Sequence, residues 1–237
     1  MIAEAIDKIL SLSRVDVQEI IGLPYASRPM HLVAPPDVSP ITLVTLTGLV
    51  DWIAARPDGL DPSQWIAHVE NHQSVQLIHR TADPYGRRTL LAKSVLQDAE
   101  VFPFGRWLHC EEFVIGLQSR FVASADFATV LRLASNLQAA TVTTAEDDGI
   151  SQRTTVRQGV TLMEIVTVKG RVLLRPYRTF REIEQPSSEF VFRLKSHDGG
   201  VPQCGLFEAD GGTWKLHAVL AIKAWLESQA LGMPVIA

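Results

Sequence analysis

The chain of 237 residues is 46% hydrophobic and 20% charged, a composition that supports an apolar core and excludes a disordered tail. Its formal net charge of -4 supplies no overall basic field, so attraction to nucleic acid or an anionic membrane would need a local patch. The two cysteines, Cys110 and Cys204, are too few for a disulfide framework or a tetrathiolate metal site.

At the start, Ile2, Ile6, Ile9 and Leu10 recur at helical spacing and predict an amphipathic helix over residues 2–12. Acidic residues within "MIAEAIDKILSLSRV" argue against a signal peptide, and no run of about 18 apolar residues occurs that would make a membrane span. These features imply a soluble protein of the cytoplasm. The following stretch, "GLPYASRPMHLVAPPDVSP", holds five of the 13 prolines and reads as an extended arm. Its Tyr25, Met30, Leu32 and Val33 are apolar groups that must be covered by this chain or by a neighbour, and are therefore candidate oligomer contacts. Residues 1–38 are expected to form this helix and arm, and residues 39–237 a single domain.

Ser39-Pro40 and Asp61-Pro62 each have the form of an N-cap followed by proline at the first helical position. They predict helices in "ITLVTLTGLVDWIAA", where threonines keep a strand reading open, and in "SQWIAHVENH". "SVQLIHR" and "RRTLLAKSVL" flank the turn formers of "TADPYG" and predict a hairpin. "EEFVIGLQSRFV" is compatible with strand or helix. "SADFATVLRLASNLQAA" is a clear helix, with Ser124 as cap and Phe127, Val130, Leu131, Ala134 and Leu137 on one face. Short β-like runs separated by Gly, Asp and Pro then continue to "TWKLHAVLAIKAWLESQ", a closing helix apolar on most sides and expected to be largely buried. The pattern predicts an α+β fold: helices and a Pro-rich arm at the N-terminus, antiparallel strands in the C-terminal half, and a long closing helix. No internal repeat or low-complexity linker is present.

Five stretches have residue types suited to chemistry. Glu146, Asp147 and Asp148 precede Gly149 between "ATVTTA" and "ISQRTTV"; Asp-Gly between two Thr/Val-rich runs is a tight-hairpin signal, and a calcium loop would need acids at alternate positions. "HVENH" sets His68 and His72 four apart, the spacing of zinc ligands on a helix, but Val69 stands where a metalloprotease has glutamate. His109, Cys110, Glu111 and Glu112 mix ligand types without a second pair to complete a tetrahedral set. "RPYRTFRE" interleaves Arg175, Arg178 and Arg181 with Tyr177 and Phe180, a pattern suited to gripping phosphate and stacking on bases, or to pairing with Glu182 and Glu184. In "EADGGTWKL", Gly211 and Gly212 precede a helix N-terminus that could hold an anion, but Asp210 occupies that place and favours a strand-to-helix turn. Neither G-x-S-x-G nor a Walker A phosphate loop is present.

Taken together, "EDDGISQ", "PYRTFREIEQPSSEFVFRL" and "EADGGTWKLHAVLAIKAWL" resemble the C-terminal half of an uncharacterised family of phage and prophage proteins, the YfdQ-like family. The resemblance covers roughly residues 100 to 228 and rests on turn and strand residues. It implies a virus-encoded, non-virion accessory protein in the host cytoplasm. The family has no established activity, so it assigns no residue a role. With no catalytic constellation, the leading expectation is a non-catalytic, self-associating binding protein that requires no cofactor. Its partner would be a host or phage factor, or a nucleotide held by Arg175, Tyr177, Arg178, Phe180 and Arg181. The alternatives are a metal-dependent enzyme acting on nucleotides or nucleic acid through Glu146, Asp147, Asp148 and Asp210, and a structural shell or ring component.

Overall fold

The computed structural model describes residues 2–13, 15, 17–20, 23–26, 39–83, 86–97, 101–138, 141–147, 151–158, 161–195 and 202–237. The chain divides into two units, residues 1–37 and 38–237. In the first, α1 (Ile2–Ser13) precedes an antiparallel hairpin of β1 (Val17–Ile20) and β2 (Leu23–Ala26), in which Val17 pairs with Ala26 and Ile20 with Leu23. Every described side chain of this unit is exposed.

The second unit begins with β3 (Ile41–Leu43), α2 (Leu46–Ala54), β4 (Trp65–Asn71), β5 (Ser74–His79) and β6 (Leu90–Val95). It continues through β7 (Trp107–His109), α3 (Cys110–Arg120), β8 (Phe121–Val122) and α4 (Ala125–Gln138). Next come β9 (Thr141–Asp147), β10 (Ser151–Gln158), β11 (Thr161–Lys169), β12 (Arg171–Pro176), β13 (Ser188–Lys195) and β14 (Gln203–Glu208), and the unit closes with α5 (Thr213–Ser228) and β15 (Val235–Ile236). The class is α+β.

Two five-stranded sheets organise this unit. One has the order β15-β4-β5-β6-β3: an antiparallel meander of β4, β5 and β6, with β3 added parallel to β6 and β15 parallel to β4. The other is antiparallel, in the order β7-β14-β13-β12-β8. Alternation of apolar residues sets its register: Val172 and Leu174 of β12 and Phe190, Phe192 and Leu194 of β13 all face inward. Strands β9, β10 and β11 form a separate three-stranded sheet.

Each five-stranded sheet has its own core. Phe102, Phe113, Leu117, Val130 and Ala134 pack with β12 and β13 in one. Leu46, Leu49, Ile53, Val75, Leu77, Ile222 and Leu226 build the other. Ser124 caps α4 as the sequence suggests, its hydroxyl accepting from the Phe127 N–H at 3.1 Å. The 74–95 hairpin also forms, with Val75 opposite Ser94 and Leu77 opposite Ala92.

Three expectations are corrected. "SQWIAHVENH" is not a helix: Asp61 accepts from the Ser63 N–H at 3.0 Å and caps only a single 3-10 turn, after which the chain enters β4. There Ala67 and Val69 are buried two apart, the strand period, and Trp65 and Val69 favour extended backbone. "ITLVTLTGLVDWIAA" divides instead of forming one helix: Ile41–Leu43 is strand, and the cap of α2 is Thr45, whose Oγ1 accepts from the Gly48 N–H at 3.0 Å. The closing helix α5 buries one stripe, Trp214, Ala218, Ile222 and Leu226, each four residues from the last. Trp225 is half-buried, and Leu216 and Leu220 are 59% and 50% exposed, so the helix is half covered.

This division of α5 predicts opposite outcomes for two truncations. Ile222→Ala is expected to destabilise the protein by about 2–5 kcal/mol, as buried aliphatic truncations do. Leu220→Ala is expected to change stability by no more than about 0.5 kcal/mol. Denaturant unfolding followed by tryptophan fluorescence measures both.

Candidate functional site

The "RPYRTFRE" stretch leaves β12 and runs through residues 177–187 before β13 begins, and Arg178, Thr179, Phe180, Ile183 and Gln185 of this connection are buried. Buried irregular backbone needs hydrogen-bond partners. Gln185 supplies several from one amide. Its Oε1 accepts from the N–H groups of Arg178 (3.1 Å) and Thr179 (3.3 Å), and its Nε2 donates to the Phe180 carbonyl at 2.8 Å. The Tyr177 N–H donates to the carbonyl of Arg120 at 2.9 Å. The loop also reaches the other sheet: Phe180 and Ile183 insert into the core that includes α2 and α5. The Thr179 hydroxyl donates to the carbonyl of His72 in the β4–β5 turn. Glu182 accepts from the Thr47 N–H at 3.1 Å, satisfying an amide in the first turn of α2 that has no partner inside the helix.

At the centre lies Arg178, only 4% exposed. Its guanidinium pairs with Glu208 at the end of β14 and donates to the Ser188 hydroxyl at the start of β13. It also lies 3.8 Å from the ring centroid of Trp214 in the first turn of α5. Burial pulls its pKa down to about 10 while Glu208 and Asp210 oppose the shift, so it remains charged at neutral pH. Asp210 sits alongside. Burial disfavours its charge, but the N–H of Gly212, the Ser188 hydroxyl, the N–H of Trp214 and Arg178 hold its carboxyl below the usual range. The Gly212 N–H reaches Asp210 Oδ1 at 3.0 Å, and Gly211 and Gly212 both have positive φ, the turn their sequence suggests. The protein's own carboxylate thus fills the place an anion would take at this helix N-terminus. His72 packs edge-on against Trp214, with centroids 4.7 Å apart. Burial first, then Lys215 and Arg178, hold its imidazole pKa below the ordinary value.

The five sequence-predicted binding residues therefore lie in different environments. Arg175 pairs with Glu184, Arg178 is buried in the charge cluster, and Phe180 is fully buried in the core. Arg181 is exposed and stacks on the half-buried Tyr177 ring at 3.7 Å, so these two side chains share one surface patch. Sequence reasoning passed over Gln185, Glu208, Ser188, Trp214 and His72 as members of this cluster. Their separations follow no local period, and only the hydrogen-bonding demand of a buried loop points to Gln185.

The metal candidates are dispersed. His68 lies within β4 and His72 in the turn after it, so helical i,i+4 geometry does not apply; along a strand, four residues span roughly 13 Å. Glu146 and Asp147 end β9, opposite Arg153 and Gln152 of β10, while Asp148 and Gly149 lie outside the described residues. Among the described residues, no group of three or more His, Cys, Asp or Glu side chains could hold a metal ion. Tyr25 of the arm is exposed; Met30, Leu32 and Val33 lie outside the described residues. Among the described residues no helix is long and apolar enough to cross a membrane. No protein-family model, no curated protein and no solved structure matches the chain.

The central cluster yields two predictions. Arg178→Ala removes one partner of a buried pair together with its contact to Trp214, and is expected to cost about 3 kcal/mol, with Arg178→Met less harmful. Chemical denaturation of the two variants is the measurement. His72 gives a pH dependence. Its folded-state pKa is depressed, so its contribution is complete above its unfolded value of about 6.5. That contribution falls as the pH drops below this value, until the folded-state imidazole is also protonated. Melting temperature recorded from pH 7.5 down to 5 should decline less steeply in His72→Phe than in the parent.

Proposed function

We propose that this chain is a non-catalytic, self-associating accessory protein of a phage or prophage, acting in the host cytoplasm by binding a host or phage factor. The observation that carries the self-association is the N-terminal unit. Ile6, Ile9, Leu10, Val15, Val17, Ile20 and Tyr25 are between 39% and 66% exposed, within a unit that buries none of its described side chains. A 12-residue helix and a hairpin of four-residue strands are each marginal alone in water. Each Å² of apolar surface left in water costs about 25 cal/mol, which favours a second copy as cover. The Tyr177–Arg181 patch supplies a cation stacked on a ring, a surface suited to an anionic or aromatic partner group. The resemblance of residues 100 to 228 to phage and prophage proteins supports the accessory role.

Sedimentation velocity at micromolar concentration tests the self-association. The full chain is expected to sediment as an oligomer. Both removal of residues 1–38 and the double substitution Ile6→Asp/Leu10→Asp should shift it toward monomer. A clean monomer of the full chain would overturn this reading.

A further inference from the structure

The sequence separates Cys110 from Cys204 by 94 positions, yet the fold brings their Sγ atoms within 3.4 Å of each other. Cys110 is the first residue of α3 and Cys204 lies in β14, the strand next to β7. Both are free thiols, 3% and 0% exposed. We propose that Cys110 and Cys204 are a peroxide-oxidised thiol pair, with Cys110 as the attacking sulfur and Cys204 as the resolving one.

Geometry assigns the roles. A disulfide holds its sulfurs about 2.05 Å apart, so the pair must close by roughly 1.4 Å, within reach of small side-chain rotations. Cys110 stands at the N-terminus of an 11-residue helix, where unpaired N–H groups and the helix dipole favour a thiolate. The Cys204 thiol acts in the same direction: hydrogen bonding from it holds the Cys110 pKa below the ordinary value, while Cys204 itself is driven up by that bond and by burial. Cys110 is also the marginally more exposed of the two, at 3% against 0%, and its thiol donates to the carbonyl of Pro202, just before β14, at 3.3 Å, a bond it gives up on ionising.

The oxidant is hydrogen peroxide. The Cys110 thiolate attacks one peroxide oxygen, the O–O bond breaks, and the departing hydroxide takes up a proton to become water, leaving Cys110 as a sulfenic acid. The Cys204 sulfur then attacks Cys110 Sγ. The S–O bond breaks and hydroxide leaves with the Cys204 proton as a second water. Two thiols have lost two electrons and the peroxide has gained them. The product joins the start of α3 to β14, and thiol reagents can reverse it.

The test treats the folded full-length protein with hydrogen peroxide and then counts thiols in denaturant. Loss of both thiols, a mass lower by about 2 Da, a single peptide pair joining Cys110 to Cys204, and full reversal by dithiothreitol are expected. In Cys204→Ser, dimedone should trap a sulfenic acid at Cys110; in Cys110→Ser, Cys204 should remain unmodified. Where a serine variant fails to fold, the alanine variant replaces it, and the wild-type measurement requires neither. Two intact thiols after treatment, sulfinic acid at Cys110 without a disulfide, or a link between two chains would each overturn the proposal.

Discussion

A guanidinium taken out of water is the constraint around which the larger unit is arranged. An ion moved into a protein interior loses several kcal/mol of hydration unless charge and hydrogen bonds replace it. Arg178 finds these replacements on three different segments: Glu208 ending β14, Ser188 opening β13 and Trp214 in the first turn of α5. The Phe104 and Phe190 rings lie 5.6 Å from it as well, so the charge is boxed by aromatic faces. Each partner is held in place by being needed there. If the cation moved, Glu208, Ser188 and the Trp214 ring would all lose the contact that fixes them.

The same residue belongs to the loop that joins the two cores. Phe190 and Phe192 anchor one and Phe180 the other, separated in sequence only by the connection that Arg178 and Gln185 hold in shape. Glu182 extends that hold to α2 by accepting from Thr47. A stretch whose residue types suggest a ligand grip has therefore turned most of its polar capacity inward. Tyr177 and Arg181 keep theirs at the surface. Arginine-aromatic interleaving is thus ambiguous by nature: the same donors that clasp a phosphate can satisfy a buried strand end.

Where local chemistry and tertiary packing agree, the sequence was legible. The apolar period of α4 and its Ser124 cap point the same way, as do the alternating strands on either side of "TADPYG" and in β12 and β13. Legibility failed where a local signal had a shorter reach than it suggests. Asp61-Pro62 begins a turn of three residues, and the conformation of residues 65–71 is set by pairing with β5, a contact that no helix-start rule contains. In α5, the composition conceals which stripe faces the core, because Leu216 and Leu220 are as apolar as Ile222 and Leu226. The Arg178–Glu208 pair, 30 positions apart, and the glutamine amide that closes the loop have no periodicity to reveal them.

The first-half sheet has its edge in residues made long after its other strands. β15 lies alongside β4, with Val235 opposite Ala67, and Ile222 and Leu226 share a core with Leu46 and Leu49. A chain emerging from the ribosome therefore presents α2, β4, β5 and β6 long before the helix that covers them exists. Such late partners raise contact order and slow the search for the native pairing. Until α5 arrives, this sheet has an open apolar face and an unpaired β4 edge, the kind of surface on which nascent chains aggregate. The fold of this half is completed only once residues 213–236 have been made, whereas the strands and helices of the other sheet all lie between residues 107 and 208, so the exposure during translation falls on the first-half sheet.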